Sequence, residues 1–129
     1  MDPIFLSLAD IIAIHKDQID RYGGAPEIRD LGLLESALAQ PRSGFGDEYL
    51  HSTIYEMAAA YLFHISQNHP FVDGNKRVAA MSMYTFLDLN GIELDMAERD
   101  FERFVWEVAE GNLDKPSIAK IIETHCQRE

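Results

Sequence analysis

The chain contains a single cysteine, Cys126. An internal disulfide is therefore excluded, and no Cys and His residues show zinc-site spacing. Basic residues are scarce: 11 Lys and Arg stand against 22 Asp and Glu, for a net charge of −11. Non-specific binding to DNA or RNA depends on neutralising phosphates with Lys and Arg, so no direct nucleic-acid function is expected. The deficit says nothing against a local basic pocket for one nucleotide. No apolar run approaches the length that crosses a bilayer, so no membrane role is expected. The start, MDPIFLSLADIIAIHK, has no basic lead-in followed by an apolar run, and the expected location is the cytoplasm. Repeats and low-complexity segments are also missing. The 129 residues read as one domain, 1–129, long enough to bury a core without staples.

What is present reads as all-α. Ser7 with Asp10 makes a capping-box pattern, followed by Leu8, Ile11, Ile12, His15 and Ile19 at helical spacing. Gly23-Gly24 stops that helix. Asp30 is placed to cap a second helix, LGLLESALAQ, which Pro41 ends. Residues 42–50 read as a loop. Thr53 and Glu56 form another capping box, opening a third helix with Ile54, Met57, Ala58, Tyr61, Leu62 and Ile65 on its apolar face. The run Ala58-Ala59-Ala60 predicts a close neighbour. A fourth helix is expected from about Gly74 to Asn90, with Gly91 as its stop. Ile92 to Leu94 reads as a short extended piece. Phe101, Phe104, Val105 and Val108 mark a fifth helix. Asp114 with Pro116 opens a sixth carrying Ile118, Ile121 and Ile122.

The stretch NHPFVDGNKRVAA, Asn68 to Ala80, breaks a local rule. Its helix carries Lys76 and Arg77 in the first turn, where the helix dipole already places partial positive charge. The free N–H groups of a helix start form an anion site, and Gly74 lets a ligand approach the backbone. Two cations there suit a phosphate rather than an empty helix. Asp73 beside that cradle is placed to hold Mg²⁺ together with phosphate oxygens, or else to cap the helix. His69 is the candidate base for chemistry near neutral pH. The G-x-x-x-x-G-K-[ST] spacing of a Walker A loop is absent.

HPFVDGNKR, His69 to Arg77, resembles the signature H-x-F-x-[DE]-[GA]-N-[GK]-R of the Fic/Doc superfamily. Lys at its eighth position resembles the Doc branch, the death-on-curing toxins. AMP-transferring Fic proteins usually have Gly there, and a second Arg where this chain has Ala80. RYGGAPEIRDLGLLESALAQP, Arg21 to Pro41, and FLDLNG, Phe86 to Gly91, also resemble Doc-like chains. The resemblance implies a compact bundle of about six helices. It implies a toxin of a type II toxin–antitoxin module that passes the γ-phosphate of ATP to a hydroxyl of elongation factor Tu and so blocks translation. By position, His69 would activate the acceptor hydroxyl, and Asp73 would hold Mg²⁺ or position the acceptor. Gly74, Asn75, Lys76 and Arg77 would cradle phosphates. AMP transfer, or a non-catalytic Fic-fold binding module, is the alternative. The self-inhibitory [ST]-x-x-x-E-[GN] pattern fails at Met57, after Ser52 to Glu56, so inhibition is expected from a separate antitoxin protein. His51, His64 and His125 read as satisfied or exposed histidines, and Trp106 as core or partner-facing. Arg21 and Arg29 flank the Gly-Gly turn and read either as residues that reach the site or as surface residues.

Overall fold

Six helices follow one another in the computed structural model, which describes residues 2–128. They are α1 (Leu8–Tyr22), α2 (Leu31–Ala39), α3 (Ile54–Asn68), α4 (Asn75–Leu89), α5 (Glu98–Ala109) and α6 (Lys115–Thr124). Their ends are set by local chemistry. The Ser7 hydroxyl accepts from Asp10 N–H while the Asp10 carboxylate accepts from Ser7 N–H, the full reciprocal box. Asp30 caps Leu33 N–H and Asp114 caps Ser117 N–H. At α3 only half of the expected box forms. Thr53 Oγ1 accepts from Glu56 N–H, but the Glu56 carboxylate turns to Ser52 N–H and to the Ser52 and Thr53 hydroxyls.

The central element is α3, which packs against α2, α4, α5 and α6. Ala58, Ala59 and Ala60 have no exposed surface, as a helix enclosed on all sides requires. Ala79, Ala80 and Ser82 on α4 are equally small and buried, so the two axes approach closely. Tyr61 is fully buried, and its hydroxyl accepts from Leu6 N–H at 2.9 Å, tying the chain start to α3. The Asn90 side chain bonds Ile4 N–H and Ile4 C=O and so holds the same segment against the end of α4.

Two short strand pairings join the helices, the first in place of the loop expected over 42–50 and the second built on the expected extended piece. Within 42–50, β1 (Gly44–Phe45) and β2 (Glu48–Tyr49) form an antiparallel hairpin, with Gly46 at φ +64° in its two-residue turn. The extended piece β3 (Ile92–Leu94) pairs antiparallel with β4 (Cys126–Arg128), in register Leu94 to Cys126. A three-residue strand has no periodicity to read, so β4 was illegible until its partner was in place. No helix among the described residues is long and apolar enough to cross a membrane. Trp106 is 48% exposed and lies outside the core, as does Leu89 at 45%.

Candidate active site

The loop between α3 and α4 is built around an unusual backbone position. His69 is the C-cap of α3 with φ 51° and ψ 54°, the one non-glycine at positive φ among the described residues. Such a conformation costs about 1–3 kcal/mol and persists only where surroundings impose it. They do so here through the segment before α2. Arg29 donates from Nε to His69 C=O at 2.7 Å and from Nη2 to Asn68 C=O at 3.0 Å, filling two carbonyls left over at the end of α3. Arg29 N–H and Asp30 N–H both donate to Pro70 C=O, and Val72 N–H donates to Glu27 C=O. Ile28 and Phe71 pair as an isolated antiparallel bridge. Residues 27–30 therefore strap the catalytic-loop candidate down.

Inside the loop, Phe71 is fully buried and stacks on His15, ring centroids 3.8 Å apart. His15 Nε2 lies 3.0 Å from Asp73 C=O; a carbonyl only accepts, so Nε2 carries the proton. The Asn75 carboxamide accepts from Phe71 N–H at 2.9 Å and donates to Phe71 C=O at 2.8 Å. Its nitrogen also lies 3.0 Å from Nδ1 and 3.4 Å from Nε2 of His69. A single atom this close to two diverging ring nitrogens cannot lie in the ring plane, where the intervening carbon blocks it. It sits over the ring face, leaving both nitrogen edges open. Asn75 is thus spent on shaping the loop, and what it offers an anion is its backbone N–H.

The start of α4 is an open donor site. The N-cap is Gly74, at φ 84°, and no side chain caps it. Among the described residues no group accepts from the backbone N–H of Asn75, Lys76 or Arg77. The capping alternative for Asp73 is thereby corrected: its Oδ2 accepts from Ala25 N–H at 2.8 Å instead. Gly24 makes that approach possible. At φ +120°, a side chain there would meet Asp73 Cβ and Ile19 Cδ1 at 3.1 Å. Lys76 has no ion-pair partner among the described residues, nor has Arg77. Arg77 Nη2 donates to Gly23 C=O at 3.1 Å, and its guanidinium lies over the Tyr22 ring, which aims it along the wall toward α1.

His69, Asp73, Gly74, Asn75, Lys76 and Arg77 all line one cavity of about 470 Å³. Its further polar lining residues, Glu110 and Ser66, carry no sequence signal. Glu110 comes from the end of α5, and the Ser66 hydroxyl is buried without a partner. Asp73 retains Oδ1 for a cation. No group of three His, Cys, Asp or Glu gathers a metal by itself among the described residues. A lone carboxylate beside a phosphate cradle fits Mg²⁺, which completes its shell with phosphate and water.

The other candidates lie elsewhere. Arg21 pairs with Asp17 on the surface. His125 Nδ1 donates to Ile121 C=O. His51 and His64 share Lys115, whose Nζ is 3.4 Å and 3.0 Å from their Nε2 atoms. Burial first, then the Lys115 charge, holds His51 below its ordinary range and pushes His64 down to about 4.

The Fic/DOC family model matches residues 5–87. The chain is similar to a protein named toxin Doc from Mycolicibacterium smegmatis, with 39% identity over 101 residues, 76% of this chain and 77% of the relative. It is also similar to the protein kinase doc of Escherichia phage P1, with 34% identity over 89 residues, 69% of this chain and 70% of the relative. The family model reaches across the His69 loop, its strap and the start of α4, and with the two relatives it shows that the chain belongs to the Fic/DOC family, in its Doc branch.

Proposed function

We propose that this chain is a Doc-like toxin acting as a protein kinase, one that moves the γ-phosphate of ATP onto a hydroxyl of elongation factor Tu. One observation carries the reading. A helix start with three free N–H groups and two cations lacking acidic partners opens on the same cavity as the exposed edge of His69. Phosphoryl transfer asks a protein mainly for positioning and charge neutralisation, and that is what this wall supplies.

In this mechanism the acceptor hydroxyl donates its proton to an open nitrogen of His69. Its oxygen bonds the γ-phosphorus as the bond from that phosphorus to the β–γ bridging oxygen breaks. ADP leaves with the released charge. The Asn75, Lys76 and Arg77 N–H groups and the Lys76 ammonium face that charge as it grows. Asp73 Oδ1 would hold Mg²⁺, which neutralises phosphate oxygens. The strap and the Asn75 carboxamide keep the imidazole at one angle through the transfer. Lys76 fills space that Gly leaves open in AMP-transferring relatives, and it favours the diphosphate as leaving group. A separate antitoxin protein is the proposed inhibitor.

Two measurements test the reading. ATP labelled at the α or the γ position is incubated with the protein and elongation factor Tu. Label is expected on the acceptor from the γ position alone, and α-label there would establish AMP transfer instead. His69→Ala is expected to keep its fold and its nucleotide binding while transfer falls about 10²–10⁴-fold. Undiminished transfer by that variant removes His69 as the base.

A further inference from the structure

A second cavity of about 330 Å³ adjoins the phosphate cleft and shares Lys76 and Arg77 with it. Its walls differ in kind. Ala80 of α4 and Phe101, Val105 and Trp106 of α5 line it, with Glu102 as its acidic residue. Ala80 is what leaves the space open, because any longer side chain one turn below Lys76 and Arg77 would project into it. Trp106 is the sole tryptophan of the chain and stands 48% exposed, while its neighbours Phe104 and Val105 are buried. An aromatic ring held in water at the edge of a cation-rimmed slot is a surface for a flat, apolar ligand group.

From this juxtaposition, and resting on the kinase reading above, we infer that the slot between α4 and α5 holds the base of the nucleotide, stacked on Trp106. The two adjoining cavities offer a place for each part of ATP. The His69 edge and the free N–H groups of the α4 start line the first, for the phosphate chain. Lys76 and Arg77 belong to both, and the apolar slot is the second. Glu102 is the one carboxylate lining the slot and suits the ribose hydroxyls as an acceptor, whereas a phosphate there would be repelled. A purine among Trp106, Phe101, Ala80 and Val105 needs no base-specific hydrogen bond, so the slot is expected to prefer purines by stacking area.

The test uses the intact protein without an acceptor. ATP, inorganic tripolyphosphate and adenosine are titrated against the parent, Trp106→Ala and Trp106→Phe by calorimetry. The same ligands are followed in the parent by the fluorescence of the lone tryptophan. ATP and adenosine are expected to quench Trp106, and tripolyphosphate to leave it unchanged. Trp106→Ala is expected to weaken ATP about tenfold, the usual scale of losing one base stack, without altering tripolyphosphate binding. Trp106→Phe should recover most of the loss. If Trp106→Ala leaves ATP affinity intact, or weakens ATP and tripolyphosphate alike, the slot is not a base site, and the phosphate cradle stands without it. If neither polyphosphate binds, the kinase reading fails. Adenosine quenching then decides the slot by itself, its presence supporting the base site and its absence overturning it.

Discussion

Arg29→Met removes the fork that holds the end of α3 while keeping much of the side chain's apolar stem. Two charge-assisted hydrogen bonds disappear, to Asn68 C=O and His69 C=O. Each is worth about 1.5–3 kcal/mol at full strength. Arg29 is exposed, water can replace it on both carbonyls, and the net loss is about 1–2 kcal/mol. For a chain of 129 residues that lowers the melting temperature by about 3–8 °C. The functional effect should be larger. His69 holds its left-handed backbone at a strain of about 1–3 kcal/mol, similar to what the fork supplies. Without the fork the imidazole samples other orientations, and transfer is expected to fall at least tenfold while ATP binding stays near the parent's. Thr53→Ala is the matched control. It removes the cap at the opposite end of the same helix and costs about 1 kcal/mol without touching the loop. Urea unfolding gives the stability of each variant, and transfer of γ-label gives the activity at a temperature where both remain folded. Equal activity loss in the two variants, or full activity in Arg29→Met, would refute the strap as a positioning device.

Acid should weaken the fold through the His51–Lys115–His64 group. The His64 value is about 4 in the folded state against 6.5 unfolded, so the unfolded chain binds the extra proton first. Stability is therefore complete above pH 6.5 and is lost as pH falls toward about 4, by about 1–2 kcal/mol after allowing for partial solvent screening. Lys115→Met removes the second cause and leaves burial, so it should make that acid limb shallower without abolishing it in urea titrations at pH 7 and pH 5, and an unchanged slope would count against a role for the Lys115 charge. Gly24→Ala places a methyl 3.1 Å from Asp73 Cβ and Ile19 Cδ1 at φ +120°, and about 2–4 kcal/mol of destabilisation is expected by thermal denaturation. A variant as stable as the parent would mean that the 24–25 segment yields freely.

The helices and the cluster from His69 to Arg77 were legible because their signals are local: caps, stop glycines, apolar spacing and cations at the wrong helix end. The parts that hold the cluster in shape were not. Arg29 reaches His69 across 40 positions, His15 reaches Asp73 across 58, and Ala25 reaches it across 48. Arg29 and Ala25 belong to no periodic pattern, and the periodicity that places His15 on the inner face of α1 does not name its partner; each interacts through the loop's backbone or a backbone N–H. The Gly23-Gly24 pair was readable as a helix stop, but its second role, passing the chain against Asp73, depends on a neighbour far along the sequence. Asp73 is ambiguous in sequence for the opposite reason. Its position before a helix is that of a cap, and only the Ala25 contact shows where the carboxylate goes.

The strap also orders events in time. Its partners, the end of α3 and the loop after it, leave the ribosome some 40 residues later than Arg29 itself, and the Glu110 side of the cleft emerges later still. Until that long loop closes, the residues of the strap have nothing to clasp. A nascent or truncated chain would therefore possess the amino acids of the site without its geometry, and a fragment that ends before α5 would lack one wall of it.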